Sequence, residues 1–475
     1  MLLAVLLARP CFAADAPPNV VIILCDDLGY GDLACYGHPH IRTPHLDQLA
    51  AEGVRLTDCY AAAPVCSSSR AGLLTGRNPN RSGVYDWIPG GSVVHLALNE
   101  PTIPQHLRLA GYQTAMVGKW HLNGLFNDPA HPQPGDYGFQ HWMATQNNAS
   151  PSHRQPDNFV RNGRPVGKME GFSCQMVAEE ACRWMRQAAT GDAPFYLHVC
   201  FHEPHEPVES PAAIVESYSG VAKNHDQAQY FANVTNMDAA VGKIIGQLDA
   251  LELSEETLVI FTSDNGPETL DRYPNADRSY GSSGPLREMK LHLYEGGVRV
   301  PGILRWSGKL PGGTTDSTPV SGVDWLPTLC ELAEQPIESK KTLDGQSLVD
   351  WLHGDPLVRE KPLHWMYYRG LTEPKFALRD GRWKILASWT KPDGGVWADG
   401  ERLPGRNVNP ESVAVIKQAE LTRFQLYDLQ NDIGETRDVA DKHPQVLERL
   451  KNHSLEIFDE VVAEGPDWFD SSPAR

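Results

Sequence analysis

Several short stretches of this chain are almost wholly apolar, with β-branched residues prominent. They are Asn19–Cys25 (NVVIILC), Pro194–Phe201 (PFYLHVCF) and Thr257–Thr262 (TLVIFT), and the shorter Tyr112–Val117 is similar. A strand with one solvated face alternates apolar and polar residues. A strand covered on both faces, as in a parallel sheet, does not. Between these runs lie segments with helical periodicity and helix punctuation. Thr43–Ala50 has Thr43 as cap, Pro44 in its first turn and Gly53 beyond its end, and Thr102–Leu109 is stopped by Gly111. Phe172–Ala189, His225–Leu251 and Val323–Ala333 continue the series. The alternation predicts an α/β fold, a large mostly parallel sheet sandwiched by helices. It thins near residue 355. Short strand-like pieces follow (His364–Tyr368, Phe376–Arg379, Trp383–Leu386, Gln425–Leu429), then a helix over Pro444–Val462, so 17–355 is expected to form the main domain and 356–475 a smaller C-terminal α+β subdomain. Asn123–Gly171, rich in Pro, Gly, Asn and His, reads as irregular and suited to a pocket rim.

What terminates the apolar runs is chemically pointed. The first empties into Asp26-Asp27, the Tyr112 run into Gly118-Lys119-Trp120-His121, and the last into Ser263-Asp264-Asn265-Gly266. In α/β folds, ligands bind at the carboxyl ends of the strands. Asp26, Asp27, Asp264 and Asn265 together offer only hard oxygen donors, a set for Ca²⁺ or Mg²⁺ with no soft ligand to favour zinc. Lys119 and His121, two apart on an extended segment, project to one side, as an anion site needs. Pro204 between His202 and His205 disfavours a helical metal-binding pair, and one His in an anion or leaving-group site fits better. The stretch Pro64–Arg77 (PVCSSSRAGLLTGR) places Cys66 ahead of capping serines and a helix expected over Arg70–Thr75. The free amides of that helix would face an oxyanion near residue 66. Arg287 and Lys290 precede Glu295-Gly296-Gly297, which reads as a turn.

Charge and cysteine content narrow the picture. A net charge of −18 over 475 residues excludes general binding to nucleic acid or to anionic membranes. An anionic substrate would then require a locally positive pocket. Nine cysteines lack any regular spacing, leaving room for one or two disulfides but no zinc ribbon. Met1–Ala16 has the apolar run and small residues of a signal peptide, and no later segment is apolar for long enough to span a membrane. Export to a periplasm or the exterior is expected, or a secretory or lysosomal route in a eukaryote. Asn148, Asn233 and Asn452 begin glycosylation sequons.

In combination, the Asp-Asp strand end, Cys-x-x-x-Arg with Leu-Thr-Gly-Arg, Gly-Lys-Trp-His, His-x-Pro-His, Asp-Asn-Gly and Lys290 ahead of Glu-Gly-Gly resemble the type I sulfatases of the alkaline phosphatase superfamily. The opening GYGDLACYGHP and TPHLDQLAAEGV are most similar to the arylsulfatase and N-acetylgalactosamine-6-sulfatase branch. The resemblance implies that Cys66 is oxidised before folding to Cα-formylglycine by a formylglycine-generating enzyme. One hydroxyl of its hydrate would attack sulfur and expel the alcohol, and the other would collapse to release sulfate. It also implies one calcium ion held by Asp26, Asp27, Asp264, Asn265 and the modified residue 66. Arg70 and Lys119 would hold hydrate and sulfate, and His121 would assist collapse. His205 and Lys290 would bind sulfate and protonate the leaving oxygen, with His202 a weaker match. The substrate implied is a sulfated carbohydrate of glycosaminoglycan type. One letter departs from the family signal: Ser68 stands where Pro is usual. Ile433 stands where the family's tail often has Pro. Two further classes share these residues. One is a phosphonate or phosphodiester hydrolase of the same superfamily; the other is a non-catalytic sulfated-glycan-binding protein with unmodified Cys66. Segments 78–99, 123–171 and 267–284 would select the sugar, with Trp87, Trp142, His153 and Arg154 as contacts.

Overall fold

The computed structural model describes residues 17–401 and 407–470, so the signal-peptide reading of 1–16 lies outside the described residues. Ten strands form one sheet, whose centre is five parallel strands in the order His141–Thr145, Gln113–Lys119, Phe195–Pro204, Asn19–Asp26, Thr257–Ser263. Beyond Thr257–Ser263 come antiparallel Gly302–Arg305, then Val54–Leu56 and Thr314–Asp316; Val160–Arg161 and Arg164–Pro165 extend the opposite edge.

The apolar runs are covered on both faces. Val20, Ile22 and Leu24 pack with Leu73, Leu74, Ile103 and Trp325 on one side. Val21, Ile23 and Cys25 pack with Leu46, Val177, Met237 and Val241 on the other. Each such side chain contributes about 1.5–3 kcal/mol by leaving water, which makes this strand the anchor of both layers. Register then fixes the site. Cys25 lies opposite Ser263 and Asp26 opposite Pro204, while Gly118 lies opposite Cys200. The candidate site residues therefore leave the sheet at the same end.

A second, four-stranded antiparallel sheet runs Leu363–Met366, Pro374–Asp380, Trp383–Trp389, Leu421–Asp428. One face packs Phe376, Leu378 and Ile385 under Phe458 and Val461 of the helix Pro444–Glu464. Its other face, with Trp365, Tyr367 and Ala377, packs against Val65, Cys66 and Leu293. The small sheet thus closes one side of the region around Cys66.

Several details differ from expectation. His141–Thr145 is a central-sheet strand inside the stretch read as irregular; it is short and mixed in polarity, so its apolar signal is weak. Glu295–Val298 is a helical turn with Glu295 fully buried. All eight described cysteines are free, so no disulfide forms among them. Asn233 is completely buried and bonded to His153, which leaves no room for a glycan there. Among the described residues, no helix is long and apolar enough to cross a membrane.

Candidate active site

Cys66 opens the helix Cys66–Thr75, which begins four residues earlier than expected. The extended Val65 is its cap, and no side chain caps it. Ser67 instead accepts from the Ile88 amide at 3.0 Å, tying the helix start to the 78–99 segment. Cys66 is only 3% exposed. Burial pushes its thiol up to about 11 even though Lys119 and Lys290 pull it down, so at neutral pH it stays protonated and weakly nucleophilic.

Four strand ends converge beside it. Asp26 accepts from Lys119 Nζ at 2.6 Å, and this ammonium together with His205, Arg70 and Lys290 holds its carboxyl well below the usual range despite complete burial. Asp27 accepts from Lys290 Nζ at 2.7 Å and from Asn265 Nδ2 at 2.7 Å. Its amide donates to Asp264 Oδ1 at 3.2 Å. Arg70 grips Asp264 through Nε at 2.9 Å and donates Nη1 to the Lys119 carbonyl at 2.9 Å. Desolvation raises Asp27 to about 6 and Asp264 to about 7, outweighing the cations beside them.

The backbone is bent to make this possible. Asp27 and His121 adopt φ of 63° and 58°, in the left-handed region that costs non-glycine residues about 1 kcal/mol or more. Gly118 has φ 108°, and a Cβ there would meet the Cys200 carbonyl at 1.8 Å. Only glycine lets the strand turn there and deliver Lys119 and His121.

His121 Nε2 lies 3.1 Å from the Ile88 carbonyl, which can only accept. The proton therefore sits on Nε2, and buried Nδ1 keeps its lone pair without a protein partner. Burial, Lys119 and Arg70 hold its pKa well below normal. His205 donates Nδ1–H to the Glu206 carbonyl at 2.6 Å and turns Nε2 to 3.6 Å from Asp27. Burial and Lys290 lower it to about 3. Lys290 is raised well above its ordinary value: burial opposes its charge, but Asp27, Cys66 and Glu268 outweigh that cost.

Atoms of Asp26, Asp27 and His205 lie within 4.8 Å of one another; Asp264, paired with Arg70 at 2.7 Å, and Cys66 fall outside this tightest group. Asp26 Oδ1 and Asn265 Oδ1 are buried without a hydrogen bond. Two orphaned acceptors among three carboxylates and an amide suit a hard cation, and Asp26, Asp27, Asp264 and Asn265 are the residues that could hold one.

The site floors a cavity of about 500 Å³ lined by Cys66, His121, His205 and Lys290. Trp87 lines it as expected. Trp142 packs in the core, His153 bonds buried Asn233, and Arg154 pairs with Glu209 at the surface, so these three do not reach it. His202 is buried behind, bonded to Thr145 at 2.8 Å. Sequence reasoning missed Tyr367, Arg369, Leu371 and Asn407, which arrive from the C-terminal region, and did not single out Arg272 or Tyr273 within their segment.

The sequence model of the sulfatase family matches residues 18–335. Arylsulfatase A of Homo sapiens is 36% identical over 96% of this chain and 90% of its own length. N-acetylgalactosamine-6-sulfatase of Canis lupus familiaris is 33% identical over 95% and 87%. Among solved structures, Ps i-CgsB in complex with k-i-k-neocarrahexaose superposes with a TM-score of 0.78 at 26% identity, covering 96% of this chain and 95% of that one. With residue matches along nearly its whole length and the same fold, the chain belongs to the sulfatase family, enzymes that hydrolyse sulfate esters.

Proposed function

We propose that the protein removes sulfate from a sulfated carbohydrate, using Cys66 converted to formylglycine and one bound calcium ion. The observation that carries this reading is the convergence of Cys66, buried and unreactive as a thiol, with His121, His205 and Lys290 on one cavity floor, and with Lys119 bound to Asp26. The modified residue would supply a hydrated aldehyde as nucleophile, and calcium at Asp26, Asp27, Asp264 and Asn265 would place positive charge against the attacking and sulfate oxygens. Three carboxylates (Asp26, Asp27, Asp264) are already matched by Arg70, Lys119 and Lys290, so an added dication leaves the site net positive for an anionic ester.

The chain's own groups have distinct tasks. Arg70 orients Asp264 and the end of the Lys119 strand. Lys119 and Lys290 hold sulfate oxygens. His121 Nδ1, a free lone pair, accepts a proton near residue 66. Lys290, charged at all working pH values, donates to the leaving oxygen, and His205 shares that role once a proton reaches Nε2. The balance is ester plus water giving alcohol plus sulfate. The same reading sends the protein along an export route and gives it a formylglycine-generating enzyme as maturation partner.

Peptide mass spectrometry of the active protein tests the proposal, with residue 66 expected as the aldehyde or its hydrate. Active protein carrying only the thiol would sink it. Turnover of a 4-nitrophenyl sulfate should also exceed that of the matching phosphodiester; the reverse preference would favour phosphorus chemistry.

A further inference from the structure

The cavity carries charge in a one-sided way. Among its described lining residues are three permanent cations, Arg272, Lys290 and Arg369, and no Asp or Glu, in a protein of net charge −18. The carboxylates that balance the two arginines stand behind them. Glu268 binds Arg272 through Nε and Nη2, both at 2.6 Å, and the Oε2 that accepts from Nη2 also lies 3.8 Å from Lys290 Nζ. Asp86 takes Arg369 Nη1 at 2.8 Å and also accepts from Tyr367 and Tyr368 at 2.9 and 3.2 Å.

These arrangements aim the guanidinium groups rather than saturate them. Arg272 Nη1 has no hydrogen-bond partner among the described residues. Arg369 Nε is buried without one, and its Nη2 has none either. Both pKa values are raised, against burial, by the carboxylates behind them, so the charge is fixed. The mounts are stiff. Leu371, on the same loop as Arg369, donates to the Leu291 carbonyl at 3.0 Å. Lys375, 1% exposed, ties the Gly370 and Thr372 carbonyls together beneath that loop. The rings of Trp87 and Tyr273 complete the wall.

We infer that Arg272 and Arg369 form a second anion-recognition subsite for the alcohol part of the substrate, so that the preferred ester carries a further sulfate or carboxylate beyond the sulfate that is cleaved. The inference rests on the sulfate-ester reading of the cavity floor. A guanidinium with an uncommitted edge, desolvated and backed by a carboxylate, suits a planar carboxylate or a sulfate oxygen pair. An unburied acid on this wall would repel such a substrate, and none is present among the described lining residues.

The test uses the mature enzyme and three disaccharides that share one cleavable sulfate: one otherwise neutral, one with a second sulfate, one with a uronate. Wild type should turn over at least one doubly anionic disaccharide with kcat/KM ten or more times that for the neutral one, mainly through KM, and the advantage should shrink with added salt. In Arg369→Gln, and in the charge-paired double variant Arg272→Gln with Glu268→Gln, the ratio of doubly to singly charged substrate should fall at least fivefold. Which of the two doubly anionic sugars leads identifies the second group. A wild-type preference for the neutral disaccharide, or ratios unchanged in both variants, overturns the inference. Loss of turnover on all sulfate esters in wild type would instead overturn the sulfatase chemistry beneath it.

Discussion

Two buried clusters in this molecule have the same charge arithmetic and opposite characters. At the strand ends, Asp26, Asp27 and Asp264 face Arg70, Lys119 and Lys290. Between the two sheets, Asp58, Glu295 and Glu435 face Arg299, Arg379 and Lys384. The second cluster is closed. Lys384 from the small sheet reaches Glu295 at 2.8 Å and Glu435 at 3.0 Å, Arg379 reaches Asp58 at 2.5 Å, and Tyr60 donates to Glu295 at 2.6 Å. It fastens one sheet to the other. The first cluster opens on a cavity, keeps two acceptors unsatisfied and bends its backbone at Asp27 and His121. Buried ion pairs by themselves do not mark a candidate site, and neither does strain or one unsatisfied acceptor, since Glu435 of the closed cluster has φ 48° and an Oε1 without a hydrogen bond; access to a cavity is what separates the two.

Breaking the clusters should separate activity from stability. Cys66→Ala has the largest expected effect: kcat should drop by about 10⁴ or more, equivalent to about 5.5 kcal/mol, with the thermal midpoint nearly unchanged. Turnover of 4-nitrophenyl sulfate and a melting curve measure both. Glu295→Ala should do the converse. It strands Lys384, Arg299 and their neighbours in the interior and should cost about 3–5 kcal/mol in urea unfolding, while kcat per folded molecule holds. Equal damage to kcat would mean that the closed cluster is part of the catalytic apparatus. Exhaustive chelation sharpens the contrast further: activity should fall by about 10²-fold or more (about 2.7 kcal/mol) and return with Ca²⁺, leaving the closed cluster intact.

The smallest effect is pH-dependent. Lys384 and Arg299 outweigh burial and hold the Glu295 carboxyl at about 2, below its ordinary 4.5. A carboxyl depressed in the folded state stabilises fully above its unfolded pKa and loses that contribution as pH falls toward the folded one. Stability should therefore decline between about pH 4.5 and 2, and Glu295→Gln should flatten that limb in acid-unfolding curves. An unchanged slope would assign acid sensitivity elsewhere.

The open cluster was largely legible in the chain because it follows one local rule. An apolar run announces a strand covered on both faces, and the polar residues immediately after it mark the strand's end. Asp26-Asp27, Lys119, His121 and Asp264-Asn265 all follow that rule. The closed cluster was not, because Glu295 sits in what reads as a Gly-rich turn and its partners Lys384 and Arg379 are 89 and 84 positions away. Arg369 and Tyr367 were missed for the same reason: a small sheet folding back over the cavity leaves no periodic trace near Cys66. Trp142, His153 and Arg154 read as contacts by their chemistry within a loop-like stretch, but the strand His141–Thr145 carries Trp142 into the core, and only three-dimensional packing reveals that.

The depth of residue 66 has a consequence for how the protein is made. Once Trp365 and Tyr367 pack beside its helix, the thiol is sealed from any large catalyst. On the proposed chemistry, maturation is therefore a race during biosynthesis. Molecules whose chain collapses before conversion are trapped as permanently silent copies, indistinguishable by melting temperature from the working ones. Specific activity of a preparation would then report the tempo of translation and folding in the producing cell, and slowing synthesis would raise it without changing the sequence.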